Sequence, residues 1–163
     1  MHTYDDFDWV EPGELKTMAM DDILWNLYLA TKVNFYIPKL GGIVWPVDSH
    51  GEDDPPLGPL HVVTAVQPKP NPDSDDNLAR IEVLEYELRV SGRVSIRAVG
   101  TSFDGTHSEE SRAVFGLDDD EARSLGRRFG QVAIFSWAGS RWSLLASAHD
   151  RETHGSWRWE ADV

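Results

Sequence analysis

The stretch RVSIRAVGTSFDGTHSEESRAVFGL, residues 93–117, has the pattern of a β-hairpin. Its first part alternates apolar and polar residues into a strand that Gly100 ends, and its second part returns as a strand from Glu109. Between them, Asp104 and Gly105 form the Asp-Gly pair that is typical of a tight hairpin turn. The stretch therefore predicts two adjacent antiparallel strands.

A helix is predicted on each side of this hairpin. Before it, residues 77–92 carry apolar side chains at helical spacing and end in Gly92, where a helix-terminating glycine belongs. After it, Asp118 and Glu121 have the spacing of a capping box, and Gly130 stands where the second helix would stop. The hairpin thus lies between two amphipathic helices.

Two further strands complete the predicted core. LHVVTAV, residues 60–66, precedes the first helix, and VAIFSW, residues 132–137, follows the second. The resulting order is β-α-β-β-α-β, which is the pattern of a ferredoxin-like fold. We therefore predict the α+β class, with two helices covering one face of an antiparallel sheet.

The remaining segments add to this core. A helix is predicted at 20–31 with Asp21 or Asp22 as its N-cap, and its apolar face would hold Ile23, Leu24, Leu27 and Tyr28. Other predicted features are a hairpin of 32–38 with 41–47, loops at 48–59 and 67–77, a strand at 140–147 paired with 132–137, and a polar tail at 149–163 that folds back over the body.

Length and composition bound the organisation of the chain. Its 163 residues fit one domain, and 40% hydrophobic residues with seven tryptophans indicate a folded core. Residues 1–19 are predicted to be an acidic N-terminal arm with Phe7 and Trp9 as anchors, and residues 20–163 a single α+β domain. With no signal-peptide pattern and no apolar run long enough for a membrane span, we expect a cytoplasmic protein without membrane partners.

The charge of the chain restricts its partners. It has 28 acidic and 15 basic residues, a formal net charge of −13. Such a charge disfavours non-specific nucleic-acid binding, which depends on displacing counterions from phosphates. It leaves open a surface that serves only solubility, or one that binds a basic protein partner by imitating nucleic acid.

Three segments carry a family resemblance. They are TAVQPKPNPDSDDNLARIEVLEYELRVSG at 64–92, AVGTSFDGTHSEESRAVFGL at 98–117 and LGRRFGQVAIF at 125–135. Together they resemble the bacterial domain-of-unknown-function family 3293, over about residues 22–146. One departure is Gln67 before Pro68, where the family pattern has Asn-Pro. The resemblance implies no activity, but it marks positions of interest. These are Thr64, Ala65, Asn77, Arg80, Gly92, Gly100, Glu110, Ser111 and Gln131.

Six of these positions are candidate ligand-binding residues: Thr64, Asn77, Arg80, Glu110, Ser111 and Gln131. In one interpretation they surround a pocket at the strand ends, where Arg80 near a helix N-terminus would suit a phosphate or a carboxylate. In the other they are structural, with Arg80 and Glu110 as an ion pair and the two amides bonding loops to strand backbones. Buried polar groups need hydrogen bonds in both cases, so the residue types leave both open.

Other chemistries lack support. The chain has no cysteine, so it has neither disulfides nor thiolate sites. In HDRETH, His149 and His154 are five apart and do not share a helix face as a zinc-binding pair does. No nucleophile elbow, phosphate-binding loop or dinucleotide fingerprint is present. We therefore expect no metal and no cofactor.

The sequence favours a non-catalytic binding or regulatory domain that holds a small polar or phosphorylated ligand or a protein partner. A second hypothesis is an acidic interaction protein that blocks a basic partner. A third is a small hydrolase or transferase that uses Glu110, with Asn77 and Gln131 orienting the substrate. The oligomeric state stays open.

Overall fold

The computed structural model describes residues 1–68 and 75–162. In this part of the chain the strands form one closed antiparallel barrel in the order β1-β2-β8-β7-β6-β3-β5-β4, with β4 pairing back to β1. The strands are β1 Thr31–Tyr36, β2 Gly42–Val47, β3 Leu60–Thr64, β4 Ser95–Ser102, β5 Ser108–Val114, β6 Ala133–Ala138, β7 Arg141–Ala146 and β8 Glu152–Ala161. The helices are α1 Pro12–Ala19, α2 Asp22–Leu29, α3 Asp75–Val90 and α4 Asp119–Arg128, preceded by a 3-10 turn at Tyr4–Asp6.

The closed barrel corrects the predicted fold class. The α+β, ferredoxin-like prediction is wrong, although the order of its elements is observed and β5 lies between β3 and β4. The sheet does not stay open, because β4 pairs with β1 and β6 pairs with β7. A closed sheet has no unpaired edges. The segments that the sequence places outside the predicted core, β1, β2, β7 and β8, are therefore the ones that close the barrel.

The C-terminal tail makes the last of these connections. It forms β8, which pairs with β2 on one side and with β7 on the other. Trp157 on this strand is fully buried inside the barrel, and its neighbours Ser156 and Arg158 point outward. The tail is therefore a wall of the barrel.

Several local predictions are confirmed. The β4–β5 hairpin turns at Asp104 and Gly105, and Gly105 has a φ of +76°. In the capping box before α4, the Glu121 N–H donates to Asp118 Oδ1 at 2.7 Å. The helix predicted at 77–92 is α3. The predicted loop at 67–77 lies mostly outside the described residues.

The two long helices cover the outer face of the strands next to them. Leu84 of α3 and Phe129 at the end of α4 are fully buried in a cluster with Val63, Ile134 and Leu145, whose side chains point outward from the barrel. Burial of this apolar surface fixes the helices on β3, β5 and β6.

The N-terminal segment packs against the body of the protein. Leu15 and Ala19 of α1, a helix that the sequence did not predict, are fully buried. Helix α2 begins at the predicted N-cap, where Asp21 accepts from the Ile23 N–H at 2.9 Å. Its buried residue is Trp25, which donates from Nε1 to Thr153 Oγ1 at 2.9 Å. Helix α2 therefore lies across one end of the barrel.

The opposite end of the barrel is filled by five aromatic side chains, which we call the aromatic plug: Phe35, Trp137, Trp142, Trp157 and Trp159. The Trp137 and Trp157 ring centroids are 5.0 Å apart in an edge-to-face arrangement. Trp157 also donates from Nε1 to the carbonyl oxygen of Gly139 at 2.8 Å. This end is a packed core.

None of the helices in residues 1–68 and 75–162 is long and apolar enough to cross a membrane.

Candidate functional site

The end of the barrel under α2 contains a cavity of about 290 Å³, which we call the mouth cavity. Its walls are inward-facing residues at the strand ends, and its roof is formed by α2, the β4–β5 hairpin and the segments around Gln67 and Gln131. The lining residues are Leu24, Leu27, Tyr28, Thr31, Val62, Thr64, Gln67, Pro68, Gly100, Ser102, Asp104, Thr106, His107, Glu109, Ser111, Gln131, Ala133, Phe135 and Leu144.

The cavity has an apolar side and a polar side. Leu24, Phe135 and Leu144 give it carbon-rich walls, whereas the hairpin contributes Asp104 and Glu109. Small-molecule sites are commonly concave, mostly apolar and equipped with a few polar groups that set orientation. An eight-stranded barrel is wide enough to hold one small ligand where side chains do not fill it.

Three of the six candidate residues line this cavity: Thr64, Ser111 and Gln131. Ser111 and Gln131 are only 4% and 5% exposed. Ser111 points inward from β5, so its neighbour Glu110 points outward. Asn77 and Arg80 are not among the lining residues.

Asn77 and Gln131 belong to a buried amide network that is centred on Gln67. Asn77 Oδ1 accepts from the Gln67 backbone N–H at 3.2 Å. Gln67 Nε2 donates to the carbonyl oxygens of Ala65 and Phe129 at 3.0 and 2.9 Å. Gln131 Nε2 donates to those of Val66 and Phe129 at 2.9 and 3.0 Å. The network bonds three chain segments together, as the structural interpretation of the amides expects.

Arg80 faces the N-terminal segment. Its guanidinium lies over the rings of Phe7 and Trp9, 5.2 and 5.6 Å from their centroids. It donates to the Asp8 carbonyl oxygen at 3.2 Å and to Asn77 Oδ1 at 3.1 Å. These contacts account for Phe7 and Trp9 as anchors of the N-terminal segment.

Glu110 is paired on the outer surface of the barrel. Arg97 donates to it from both Nε and Nη2, with Nε 2.8 Å from Glu110 Oε1. Arg112 Nη1 lies 3.5 Å from its other oxygen. The ion pair of Arg80 with Glu110, which the structural interpretation predicts, is not observed. Glu110 pairs instead with Arg97 and Arg112. The barrel wall separates Glu110 from the cavity that Gln131 lines, so the described geometry does not bring these two residues to one substrate.

The sequence reasoning missed Tyr28 and Glu109. Burial, and after it the negative charge of Glu109, raise the pKa of the Tyr28 phenol above its usual value. His107 Nε2 lies 3.2 Å from Glu109 Oε1. The alternation of side chains along a strand could have identified Glu109, because Glu109 lies on the same face of β5 as Ser111, two residues later.

Asp104 lies at the edge of the same cavity, in the hairpin turn. Hydrogen bonds from the Thr106 N–H and from the hydroxyls of Ser102 and Thr106 lower its pKa to about 2. The carboxyl group is therefore ionised at neutral pH.

A second polar cluster lies on the outside of the barrel, beneath α4. Buried His61 has its Nε2 atom 2.8 Å from Asp119 Oδ1, and Ser136 Oγ donates to the same oxygen at 3.3 Å. Burial raises the pKa of Asp119, but the hydrogen bond and charge of His61 together with Ser136 bring it below its usual value. The serine bonds the acid and not the imidazole, so the cluster lacks the nucleophile–base hydrogen bond of a catalytic triad.

The described residues contain no group of three or more potential metal ligands. In the HDRETH segment, His149 Nδ1 accepts from the Arg151 N–H at 2.9 Å and Glu152 pairs with Arg123. These side chains already have protein partners.

The fold and the cavity define a small closed β-barrel protein with an internal space at one end. Residues 63–134 match a family model described as "Protein of unknown function (DUF3293)". The resemblance predicted from the sequence motifs is thus confirmed over these residues, which run from β3 into β6. Comparison with curated proteins and with solved structures found no match.

Proposed function

We propose that this protein binds a small molecule in the mouth cavity. The observation that carries the proposal is the unequal filling of the barrel: aromatic rings occupy one end, and a space of about 290 Å³ remains at the other. That volume is near the lower end of small-molecule sites, about 300 Å³. The ligand is therefore compact.

The cavity favours a neutral or cationic ligand over a phosphorylated one. Its described lining contains two carboxylates, Asp104 and Glu109, and no lysine or arginine. Arg80, from which an anion site was predicted, is held by Asp8 and by the rings of Phe7 and Trp9. An anion in the cavity would face these two carboxylates, and the histidine of the lining, His107, already lies against one of them, with its Nε2 atom 3.2 Å from Glu109 Oε1.

A cavity-filling variant tests this proposal. Gly100 faces inward on β4, and a Cβ atom there would lie 3.4 Å from Thr31 Cγ2, which is an ordinary contact. Gly100→Val therefore places methyl groups in the cavity, and valine suits a strand. The control is Thr101→Val, which places the same side chain at the next, outward-facing position, where it removes only the exposed hydrogen bond between the Thr101 and Ser108 hydroxyls.

The measurement is a nuclear magnetic resonance screen of the full chain with a library of neutral, cationic and phosphorylated fragments. We expect hits that shift the amide signals of residues 109–111 and of Gln131. Gly100→Val should weaken their binding at least tenfold and Thr101→Val less than twofold. Hits that map elsewhere, or that bind Gly100→Val unchanged, would reject the proposal.

A further inference from the structure

The side chains of the mouth cavity also indicate the class of ligand, an argument that rests on the proposed function. A site and its ligand must pair donors with acceptors, since an unpaired buried polar group costs binding free energy. The hydrogen bonds within the protein show which donors and acceptors the lining still offers.

The serine and threonine hydroxyls of the lining already donate their hydrogens in hydrogen bonds within the protein. Thr64 Oγ1 donates to the Glu110 carbonyl oxygen at 2.6 Å, and Ser111 Oγ donates to that of Glu109 at 3.2 Å. The remaining three donate likewise: Thr31 to the Leu27 carbonyl oxygen, and Ser102 and Thr106 to Asp104 Oδ1. Each of these hydroxyls has only lone pairs left for a ligand.

The two buried side-chain amides also have no hydrogen left to donate to a ligand. Gln67 and Gln131 each use Nε2 to donate to two backbone carbonyl oxygens. An amide nitrogen carries two hydrogens, so neither side chain retains a free donor. Gln131 can therefore offer the cavity only its Oε1 acceptor.

Glu109 adds a negative charge to this acceptor-rich wall. It points inward from β5, on the same face as Ser111, and its side chain is 25% exposed. Asp104 contributes a second carboxylate at the edge of the cavity. A carboxylate accepts hydrogen bonds most strongly from a cationic donor.

Tyr28 closes the roof above these acceptors. Its hydroxyl has no hydrogen-bond partner among the described residues, although burial and Glu109 keep the phenol protonated. The ring and the hydroxyl, which can both donate and accept, are therefore available to a ligand. An aromatic face attracts a cation, and a phenol oxygen accepts from one.

We infer that the mouth cavity selects a compact amine: an apolar body that packs on Leu24, Phe135 and Leu144, and a protonated amino group that donates to Glu109 and the neighbouring lone pairs. The binding is reversible and involves no covalent step. The ammonium supplies positive charge and several N–H donors, whereas the donors that the described lining adds are the Tyr28 hydroxyl and the imidazole of His107, which lies against Glu109.

Three probes with one shared body test the inference. They are 2-phenylethylamine, 2-phenylethanol and 3-phenylpropionate, titrated into the full chain while the amide signals of residues 109–111 and Gln131 are followed. We expect the amine to bind at least tenfold more tightly than the alcohol, because the ammonium adds the attraction between opposite charges to its hydrogen bond with Glu109, whereas the hydroxyl is neutral. The carboxylate should give no shift at the same concentration.

Neighbouring carboxylates on β5 provide the variant and its control. Glu109→Gln should lower the ratio of amine to alcohol affinity towards one, because it removes the charge that only the amine matches. Glu110→Gln, on the outer face of the same strand, should keep the full ratio.

The outcomes separate this inference from the proposed function. A ratio near one in the unaltered protein, or a ratio that Glu109→Gln does not change, overturns the amine preference. If the alcohol still binds the cavity and Gly100→Val prevents it, the proposed function stands without that preference. If neither these probes nor any fragment shifts the cavity signals, both fail.

Discussion

At one end of the barrel the aromatic plug fills the interior, whereas at the other end the same strands surround a cavity. The difference comes from the inward-facing side chains. Near the plug they include Phe35, Trp137 and Trp157, and near the mouth they include Gly100 and Ala133. The size of the inward residues therefore decides whether a barrel of this width is solid or holds a space.

The comparison predicts that stability resides at the plug. Trp157→Ala removes a fully buried ring and the hydrogen bond to Gly139, so it should lower the free energy of unfolding by about 3–5 kcal/mol. Leu27→Ala at the mouth, where the side chain is 61% exposed, should change it by no more than about 0.5 kcal/mol. Urea unfolding measures both. Similar losses would show that the two ends are equally important to stability.

The amide network beside the mouth should have an intermediate effect. Gln67→Met keeps a similar length but leaves the Val10 N–H and the Ala65 carbonyl oxygen without their partner. Unpaired buried groups of this kind cost about 1–3 kcal/mol. The same urea experiment tests it, with the exposed Leu78→Ala as a control. An unchanged midpoint would mean that water replaces the amide, and that the network does not stabilise the roof.

The smallest expected effect is on the pH dependence of stability, through Asp104 in the β4–β5 hairpin. The pKa of Asp104 is about 2 in the folded protein, below its ordinary value of 3.8, so its hydrogen bonds stabilise the fold above pH 4. This contribution is lost as the pH falls from 4 towards 2. Asp104→Asn should therefore lower the melting temperature slightly at pH 6 and not at pH 2. If Asp104→Asn lowers the melting temperature equally at pH 6 and at pH 2, the effect comes from the shape of the side chain and not from its charge.

The parts of the fold that are local in sequence could be predicted from it. The turn at Gly105 and the cap at Asp118 depend on a few adjacent residues, and both are as predicted. Closure depends on pairs that are distant in the chain, such as Val33 opposite Gly100. No local pattern specifies such a pair, and in β8 the apolar–polar alternation is limited to Trp157, Arg158 and Trp159 within a polar stretch.

The candidate site could be predicted only in part, and the reason is similar. Ser111 and Gln131 line the cavity, but the motif points to Glu110, whereas the strand face shared with Ser111 points to Glu109, which lines the cavity. The helical spacing predicts only that Tyr28 lies on an apolar helix face. Only closure of the barrel places that face over a cavity.

The position of β8 between β2 and β7 has a consequence for synthesis. On the ribosome, residues 152–161, which contain the pairing partners of Trp45 in β2 and Trp142 in β7, emerge after both of those strands. Until then two strand edges stay unpaired, and unpaired edges are templates for association with other chains. Efficient production of this protein should therefore depend on how rapidly β8 is translated and joins its neighbours, and we expect slow translation of that segment to increase aggregation.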